Sequence, residues 1–114
     1  MTKETDKIVV LITAGSNEEA HTIAESLVKR KKAACVNVVP GLMTLFWWEG
    51  KLDSGQESLL IVKIKASLFS EIVSLVKEIH SYQVPEIIAL PIVSGSEDYL
   101  AWLNDSLEQG NQDG

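Results

Sequence analysis

The amino-acid sequence predicts a single α+β domain in which the elements follow the order βαββαβ and a third helix is added at the end. Two observations lead to this order. Apolar runs typical of strands alternate with segments whose apolar residues recur at helical spacing. The two longest apolar segments, residues 33–48 and 58–65, are separated only by a polar connection. Strands joined by so short a connection are antiparallel.

The first strand and the first helix are marked by local patterns. Lys7–Ala14 is a β-branched apolar run, which predicts a strand buried on both faces. Ser16 and Glu19 form an S-x-x-E capping box at the start of a helix. The apolar residues that follow recur on one helical face: Ala20, Ile23, Ala24, Leu27 and Val28. The basic run at 29–32 complements the negative end of the helix dipole, so the helix is expected to end there.

The central part of the chain predicts two long antiparallel strands. Residues 33–48 are apolar apart from Pro40 and Gly41, which indicates one long strand with a bend or bulge. Because proline cannot donate to a sheet ladder, this strand is expected at an edge. The polar residues 49–57 are expected to form an exposed connection, after which residues 58–65 return as a strand.

The second half of the chain predicts a helix, a strand and a last helix. Ser67 is the expected N-cap of the second helix, which ends near His80. A turn follows, because the residue before Pro85 is disfavoured in helical geometry, and residues 87–93 form the last strand. The third helix starts after residues 94–96, and four residues form its expected inner face: Tyr99, Leu100, Leu103 and Leu107.

This order matches the split βαβ arrangement of ferredoxin-like folds, an antiparallel sheet covered on one face by two helices. The other face is left open, and the long strand carries Phe46, Trp47 and Trp48 near its tip. A monomer would expose both apolar surfaces, so we expect a homo-oligomer. The alternative is that the tryptophans cover only a small local core under the hairpin.

Length and composition restrict the classes of function. The 114 residues suit one domain over residues 1–114, with an ordered core at about 7–107. The net charge of -6 disfavours a nucleic-acid partner. Cys35 is the only cysteine, which excludes an intramolecular disulfide and fits a reducing compartment. No apolar segment has the length of a signal peptide core or a membrane span, so we expect a cytoplasmic protein with no membrane partner.

Four separated motifs occur in order along the chain. They are Ala33-Ala34-Cys35-Val36-Asn37, Trp48-Glu49-Gly50-Lys51, His80-Ser81-Tyr82-Gln83-Val84-Pro85-Glu86-Ile87-Ile88 and Tyr99-Leu100-x-Trp102-Leu103. Together they resemble the CutA divalent-cation-tolerance family, and the match extends over nearly the whole chain. The resemblance implies a ferredoxin-like protomer in a tight homotrimer of PII-like shape, and a role in tolerance of copper and other divalent cations.

The sequence also departs from the family pattern. Ser81 stands where the family usually has proline, and Phe46 stands where a tyrosine is common, so one phenolic hydroxyl is missing. The copper ligands that the resemblance implies fall on Ile12, Ile79 and His80, of which only His80 can bind a metal.

His80 is therefore the first candidate metal ligand, since a neutral imidazole binds borderline cations such as copper. One imidazole alone binds weakly. The expected additional donors are Glu86, six positions on, and Cys35, which could approach from the long strand or from another subunit. The structural alternatives are a helix-capping role for His80, a small buried hydrophobe at Cys35 and a backbone acceptor at Glu86.

A second candidate is a cleft that binds a small ligand or an anion. Lys63 interrupts an apolar strand, so it must face water or line a polar cleft, and the resemblance places it near a cleft between subunits. Trp48 and Tyr82 could supply aromatic walls there, with Glu86 as a polar neighbour. Exposure at a sheet edge would explain Lys63 equally well.

Three functions compete. The first is a non-enzymatic trimer that responds to divalent metals and binds a cation or small molecule between subunits. The second is a PII-like signalling module, in which a ligand orders loops that contact an unknown protein partner. The third is a hydrolase of the acylphosphatase type, which would need an arginine after the first strand, where residues 14–17 have none. The sequence favours the first.

Overall fold

The computed structural model describes residues 5–108, and the elements in this part of the chain follow the predicted order. They are β1 (Lys7–Ala14), α1 (Asn17–Lys29), β2 (Cys35–Trp48), β3 (Lys51–Lys65), a short 3-10 helix (Ala66–Leu68), α2 (Phe69–Ile79), β4 (Ile87–Pro91) and α3 (Glu97–Glu108). The strands form one sheet in the order β2-β3-β1-β4, and all neighbouring pairs are antiparallel. The predicted βαββαβ order with an additional helix is confirmed, and β2 is an edge strand as Pro40 indicated.

The main core lies between one face of the sheet and the two helices α1 and α2. Alternate residues of the two central strands point into it, as the two-residue period of a strand requires. The fully buried members on the strands are Val10, Ile12, Ala14, Leu60, Val62 and Ile64. The helices contribute Ala20, Ile23, Leu27, Ile72, Leu75 and Val76. The apolar periodicity of the sequence therefore identifies the face that each helix buries, except at Val28, which is 40% exposed near the end of α1.

The opposite sheet face is only half covered. Val9 and Leu11 alternate with the core residues of β1 and are partly exposed, so the prediction that β1 is buried on both faces was wrong for a single chain. Part of this face is not open, because α3 packs beside the end of β3, where Lys65 forms an ion pair with Glu108 at 3.3 Å. Leu103 is fully buried in that contact, outside the main core.

The β2-β3 hairpin is longer than the sequence predicted. The connection expected at 49–57 is reduced to a two-residue turn at Glu49 and Gly50, both with positive φ, and β3 already begins at Lys51. Positive φ at both central residues gives the turn type whose twist matches that of a two-stranded ribbon. The predicted bulge is confirmed, since the register shifts between Val39 and Leu42.

Three smaller expectations were wrong. Ser67 is not an N-cap, because the chain after β3 first forms the 3-10 helix and α2 then starts without a side-chain cap. The last strand ends at Pro91 and not at residue 93, because its partner β1 begins at Lys7, whose carbonyl accepts a last hydrogen bond from the Ile92 N–H. Tyr99 is 42% exposed and so lies at the margin of α3's buried face.

Among residues 5–108, no helix combines the length and the apolar character needed to cross a membrane.

Candidate functional site

Polar side chains meet where β1 and α2 both end, and we refer to Glu19, Glu57, His80, Ser81 and Tyr82 as the polar cluster. Glu19 comes from the first turn of α1, Glu57 from β3, and the other three from the segment that follows α2. His80 is the C-cap of α2, and its N–H bonds to Val76 at the end of the helix. The end of α2 therefore places His80, Ser81 and Tyr82 next to the end of β1.

Both ring nitrogens of His80 have backbone partners. Nε2 lies 2.7 Å from the carbonyl oxygen of Thr13, and Nδ1 accepts a hydrogen bond of 3.0 Å from the N–H of Tyr82. Because Nδ1 accepts, the ring proton resides on Nε2, which donates to Thr13. The side chain is fully buried. In this arrangement a neutral imidazole joins β1 to the segment after α2, and neither nitrogen is free for a cation.

Glu19 holds the same segment from the other side. Its carboxylate accepts hydrogen bonds from the N–H of Ser81 at 2.7 Å, the Ser81 hydroxyl at 3.0 Å and the N–H of Gly15 at 3.2 Å. Burial raises the pKa of Glu19, but the hydrogen bonds from Ser81 and Gly15 outweigh it, so the pKa lies below its ordinary value of 4.5. The predicted capping box is half formed: Ser16 accepts from the Glu19 N–H, while the Glu19 carboxylate turns to Ser81.

We expect Glu19→Gln to lower the free energy of unfolding by about 1–2 kcal/mol at pH 7, because an amide oxygen replaces a charged acceptor of three hydrogen bonds. The Glu19 pKa is lower in the folded chain than in the unfolded chain, so its contribution is fully present above the ordinary value of 4.5 and is lost as the pH falls below 4.5 through the lower pKa of the folded chain. The difference between wild type and Glu19→Gln should therefore shrink in acid. Urea unfolding at pH 7 and in acid measures it.

Glu18→Gln is the matched control, since Glu18 is exposed in the same helical turn. It should change the free energy of unfolding by less than about 0.5 kcal/mol. Equal losses in the two variants would mean that Glu19 acts only through the helix dipole.

Tyr82 connects the cluster to the hairpin. Its hydroxyl donates a 2.9 Å hydrogen bond to the carboxylate of Glu57, and its ring lies 4.7 Å from the His80 ring between centroids. Gly15 gives it room, since a Cβ at Gly15 would come within 3.2 Å of the Tyr82 hydroxyl. Burial and the Glu57 carboxylate raise the pKa of Tyr82 to about 12.

We expect spectrophotometric titration to find Tyr82 ionising near pH 12, and Glu57→Gln to move that midpoint towards 10, because the acceptor loses its charge. The raised pKa stabilises the fold below pH 10, and this contribution is lost as the pH rises from 10 to about 12. The chain has two tyrosines, so Tyr82→Phe assigns the transition by leaving only that of Tyr99. A Tyr82 midpoint near 10 in the wild type would contradict the Glu57 contact.

The residues predicted for a ligand cleft lie apart within one chain. Trp48 pairs with Lys51 at the hairpin tip, whereas Lys63 lies twelve residues further along β3, a separation of about 40 Å. Tyr82 contacts β3 between them, at Glu57. Lys63 donates instead to the side chain of Asn37 on β2. A single subunit therefore does not bring Lys63, Trp48 and Tyr82 together.

The predicted metal ligands are also divided. Cys35 is half-buried and pairs with Lys63, whereas His80 bonds to Thr13, which pairs with Leu59 four residues earlier on β3, about 13 Å away. Glu86 is exposed and precedes β4 at the end of the sheet where His80 lies. Among residues 5–108, no three His, Cys, Asp or Glu side chains gather around a point that could hold a metal. The three ligand roles stay predictions that a neighbouring subunit would have to complete.

Three members of the polar cluster were not foreseen from the sequence as site residues. Ser81 was noted only as a departure from the family pattern. Glu19 was assigned only to helix capping, and Glu57 only to an exposed connection. A capping glutamate that looks ordinary in sequence gives no sign that Ser81, 62 residues away, will compete for its carboxylate. The Glu57 contact likewise depends on the extension of β3, which the polar composition of that segment concealed.

Comparison with known proteins gives this geometry its context. The family model described as CutA1 divalent ion tolerance protein matches residues 8–106. The chain belongs to the CutA1 family. The predicted assignment to the divalent-cation tolerance proteins is therefore confirmed.

Related CutA proteins cover most of the chain. The Divalent-cation tolerance protein CutA of Thermus thermophilus is 49% identical over 98 residues, which make up 86% of this chain and 95% of that protein. Protein CutA 1, chloroplastic, of Oryza sativa is 45% identical over 90% of this chain. This chain spans 58% of the length of the rice protein.

Solved CutA structures share the fold. The CutA1 of Oryza sativa has a TM-score of 0.88 at 45% identity and covers 90% of this chain and 94% of its own. The Periplasmic divalent cation tolerance protein CutA of Archaeoglobus fulgidus has a TM-score of 0.86 at 42% identity, covering 89% and 98%. These likenesses confirm the ferredoxin-like α+β fold. Since one relative is named chloroplastic and another periplasmic, the cytoplasmic location of this CutA1 family member stays a prediction.

Proposed function

We propose that this protein is a non-enzymatic homotrimer of the cytoplasm that takes part in the response to divalent cations such as copper, and that it binds a cation or a small ligand in the cleft between subunits. The observation that carries the proposal is the exposed β2-β3 hairpin. Beyond the bulge, seven residue pairs from Leu42 to Trp48 extend the ribbon by about 24 Å.

The hairpin's composition supports self-association. Met43, Leu45 and Trp47 project from one face of the ribbon with 80%, 66% and 75% of their surfaces exposed. On the other face, Trp48 is 62% exposed. A monomeric protein rarely exposes so continuous an apolar surface, and an isolated two-stranded ribbon is only marginally stable in water. A second and a third copy of the chain would cover it.

Assembly would also explain the dispersed cleft residues. Lys63 and Trp48 lie about 40 Å apart in one chain, so a cleft that contains both must combine different subunits. Tyr82 and Glu86 lie on the segment around β4's start, where they could meet the hairpin of a neighbour. The proposed ligand cleft therefore comprises Lys63, Trp48, Tyr82 and Glu86 from more than one chain.

For the cation, Cys35 and Glu86 are the accessible donors. A cation at Nδ1 of His80 would have to displace the Tyr82 N–H, and one at Nε2 would displace the bond to Thr13. The same two bonds support a non-enzymatic role, because they engage both ring nitrogens with backbone groups, so neither nitrogen is placed to take a proton from a hydroxyl or a thiol. Cation binding by His80 would require the loss of one of these hydrogen bonds, so His80 is a less favourable ligand than Cys35 or Glu86.

Calorimetric titration of the thiol-reduced protein with copper(II) and zinc tests the proposal, followed by the same titration of Cys35→Ser, Glu86→Gln and His80→Gln. Loss of about tenfold or more in affinity in Cys35→Ser or Glu86→Gln is the expected result. Glu78→Gln, which removes an exposed carboxylate from α2, is the matched control and should bind as wild type does. An absence of binding by wild type would refute the cation site and leave a PII-like protein that acts through a partner.

A further inference from the structure

A cavity of about 220 Å³ lies where the end of α1, the 3-10 helix and the end of α3 come together. Four of its lining residues are basic: Arg30, Lys31, Lys32 and Lys65. The whole chain has 10 basic residues and a net charge of -6, so a large share of its positive charge is gathered at one small concave surface. Such a cavity concentrates anions against the overall charge of the protein.

The four cations are not equivalent. Lys32 is paired with Glu71 at 2.7 Å, and Lys65 is paired with Glu108 at 3.3 Å. Within residues 5–108, the side chains of Arg30 and Lys31 make no ion pair or hydrogen bond. Arg30 is the only arginine of the chain, and a guanidinium offers the planar pair of N–H donors that suits phosphate and carboxylate oxygens.

Lys31 occupies a backbone conformation that normally favours glycine. Its φ is 59°, and it closes α1 by donating its N–H to Val28 while the N–H of Lys32 bonds to Leu27. A glycine would adopt this left-handed conformation at lower cost, so the lysine side chain is present in spite of a local loss of stability. Lys31 lines the cavity, and its charge also complements the negative end of the α1 dipole, neither of which a glycine could supply.

We propose that this basic cavity binds a small oxyanion of the phosphate class, with Arg30 and Lys31 as its principal contacts. The cavity is smaller than the usual pockets for drug-sized ligands, so a ligand with one or two phosphate groups fits it better than a whole nucleotide. Ser67 also lines the cavity, and its hydroxyl can donate to an oxyanion. The other lining residues are Leu68, Leu107 and Glu108, and the carboxylate of Glu108 is paired with Lys65. The cavity shares no lining residue with the polar cluster or with the proposed cation donors.

Calorimetry of the full chain with pyrophosphate, in chloride buffer free of divalent cations, tests this site. Wild type is expected to bind, Arg30→Gln to weaken the affinity about tenfold, and added salt to weaken it further. Lys29→Gln is the matched control: Lys29 is a neighbour in sequence but is paired with Glu25 at 2.6 Å and does not line the cavity. It should leave the affinity within about twofold of wild type.

Lys31→Gly distinguishes an effect on anion binding from an effect on the stability of the fold. The variant should raise the melting temperature of the free protein, because glycine relieves the left-handed conformation, and should weaken pyrophosphate binding at the same time. Inorganic phosphate in place of pyrophosphate tells whether one phosphate group is sufficient. No binding by wild type up to about 10 mM pyrophosphate, or unchanged affinity in both Arg30→Gln and Lys31→Gly, would overturn the proposal.

Discussion

Replacement of His80 by alanine should lower the free energy of unfolding by about 3–5 kcal/mol, the largest loss expected at the polar cluster. The side chain is fully buried, and its two ring nitrogens satisfy the carbonyl of Thr13 and the N–H of Tyr82. Alanine would leave both backbone groups without a partner and would leave a cavity between β1 and the end of α2. Urea denaturation at pH 7 measures the change.

Two conservative variants separate the contributions of the two hydrogen bonds to the free energy of unfolding. His80→Gln places an amide N–H near the position of Nε2 and can keep the bond to Thr13, whereas His80→Asn places an oxygen near Nδ1 and can keep the bond from Tyr82. Each should lose less stability than His80→Ala. His21→Ala is the control, because His21 is 79% exposed and should contribute less than about 0.5 kcal/mol. Equal, small effects at both histidines would show that His80 does not tie these segments together.

The double variant Leu45→Glu, Trp47→Glu should convert the proposed trimer to single chains. Both side chains project from the same face of the exposed ribbon, and burial of two carboxylates in an interface without partners costs several kcal/mol. Because neither residue belongs to the main core, the protomer itself should keep its fold. Light scattering would record the mass falling threefold, to that of a single 12.5 kDa chain.

Val28→Glu is the matched control for this experiment. Val28 is also an exposed apolar residue, at 40%, but it lies on α1, remote from the hairpin. It should leave the mass unchanged. A double variant that keeps the wild-type mass would place the interface elsewhere than on the hairpin, and a double variant with lost circular-dichroism signal would mean that the ribbon is needed for folding.

Local patterns predicted the parts of the fold that contact the core. The strand Lys7–Ala14 was located from its continuous β-branched apolar run. The helix Asn17–Lys29 was located from its capping signal and from the apolar period that burial on one side imposes. The first half of β3, from Lys51 to Glu57, was missed because it pairs with β2 outside the core. Polar residues there are as compatible with a two-stranded ribbon as with a loop, so composition does not distinguish the two. Pairing there is decided by the partner strand and the Glu49-Gly50 turn.

The polar cluster could be predicted only in part. His80 and Tyr82 were selected for their chemistry, but their state depends on contacts from distant segments: Thr13 at the end of β1, Glu19 on α1 and Glu57 on β3. Sequence spacing contains no information on which backbone groups will meet an imidazole. The geometry of Cys35, Lys63 and Trp48 could not be predicted for another reason. The proposed site combines residues of several subunits, and the sequence of one chain does not specify how subunits meet.

Native mass spectrometry of the reduced protein, with and without added copper, tests trimer formation and cation binding in one experiment. We expect an assembly of three 12.5 kDa chains that takes up copper and retains it as a trimer, with uptake reduced in Cys35→Ser or Glu86→Gln. A single 12.5 kDa chain, or a trimer that takes up no copper, would contradict the proposal that a cation is held between subunits.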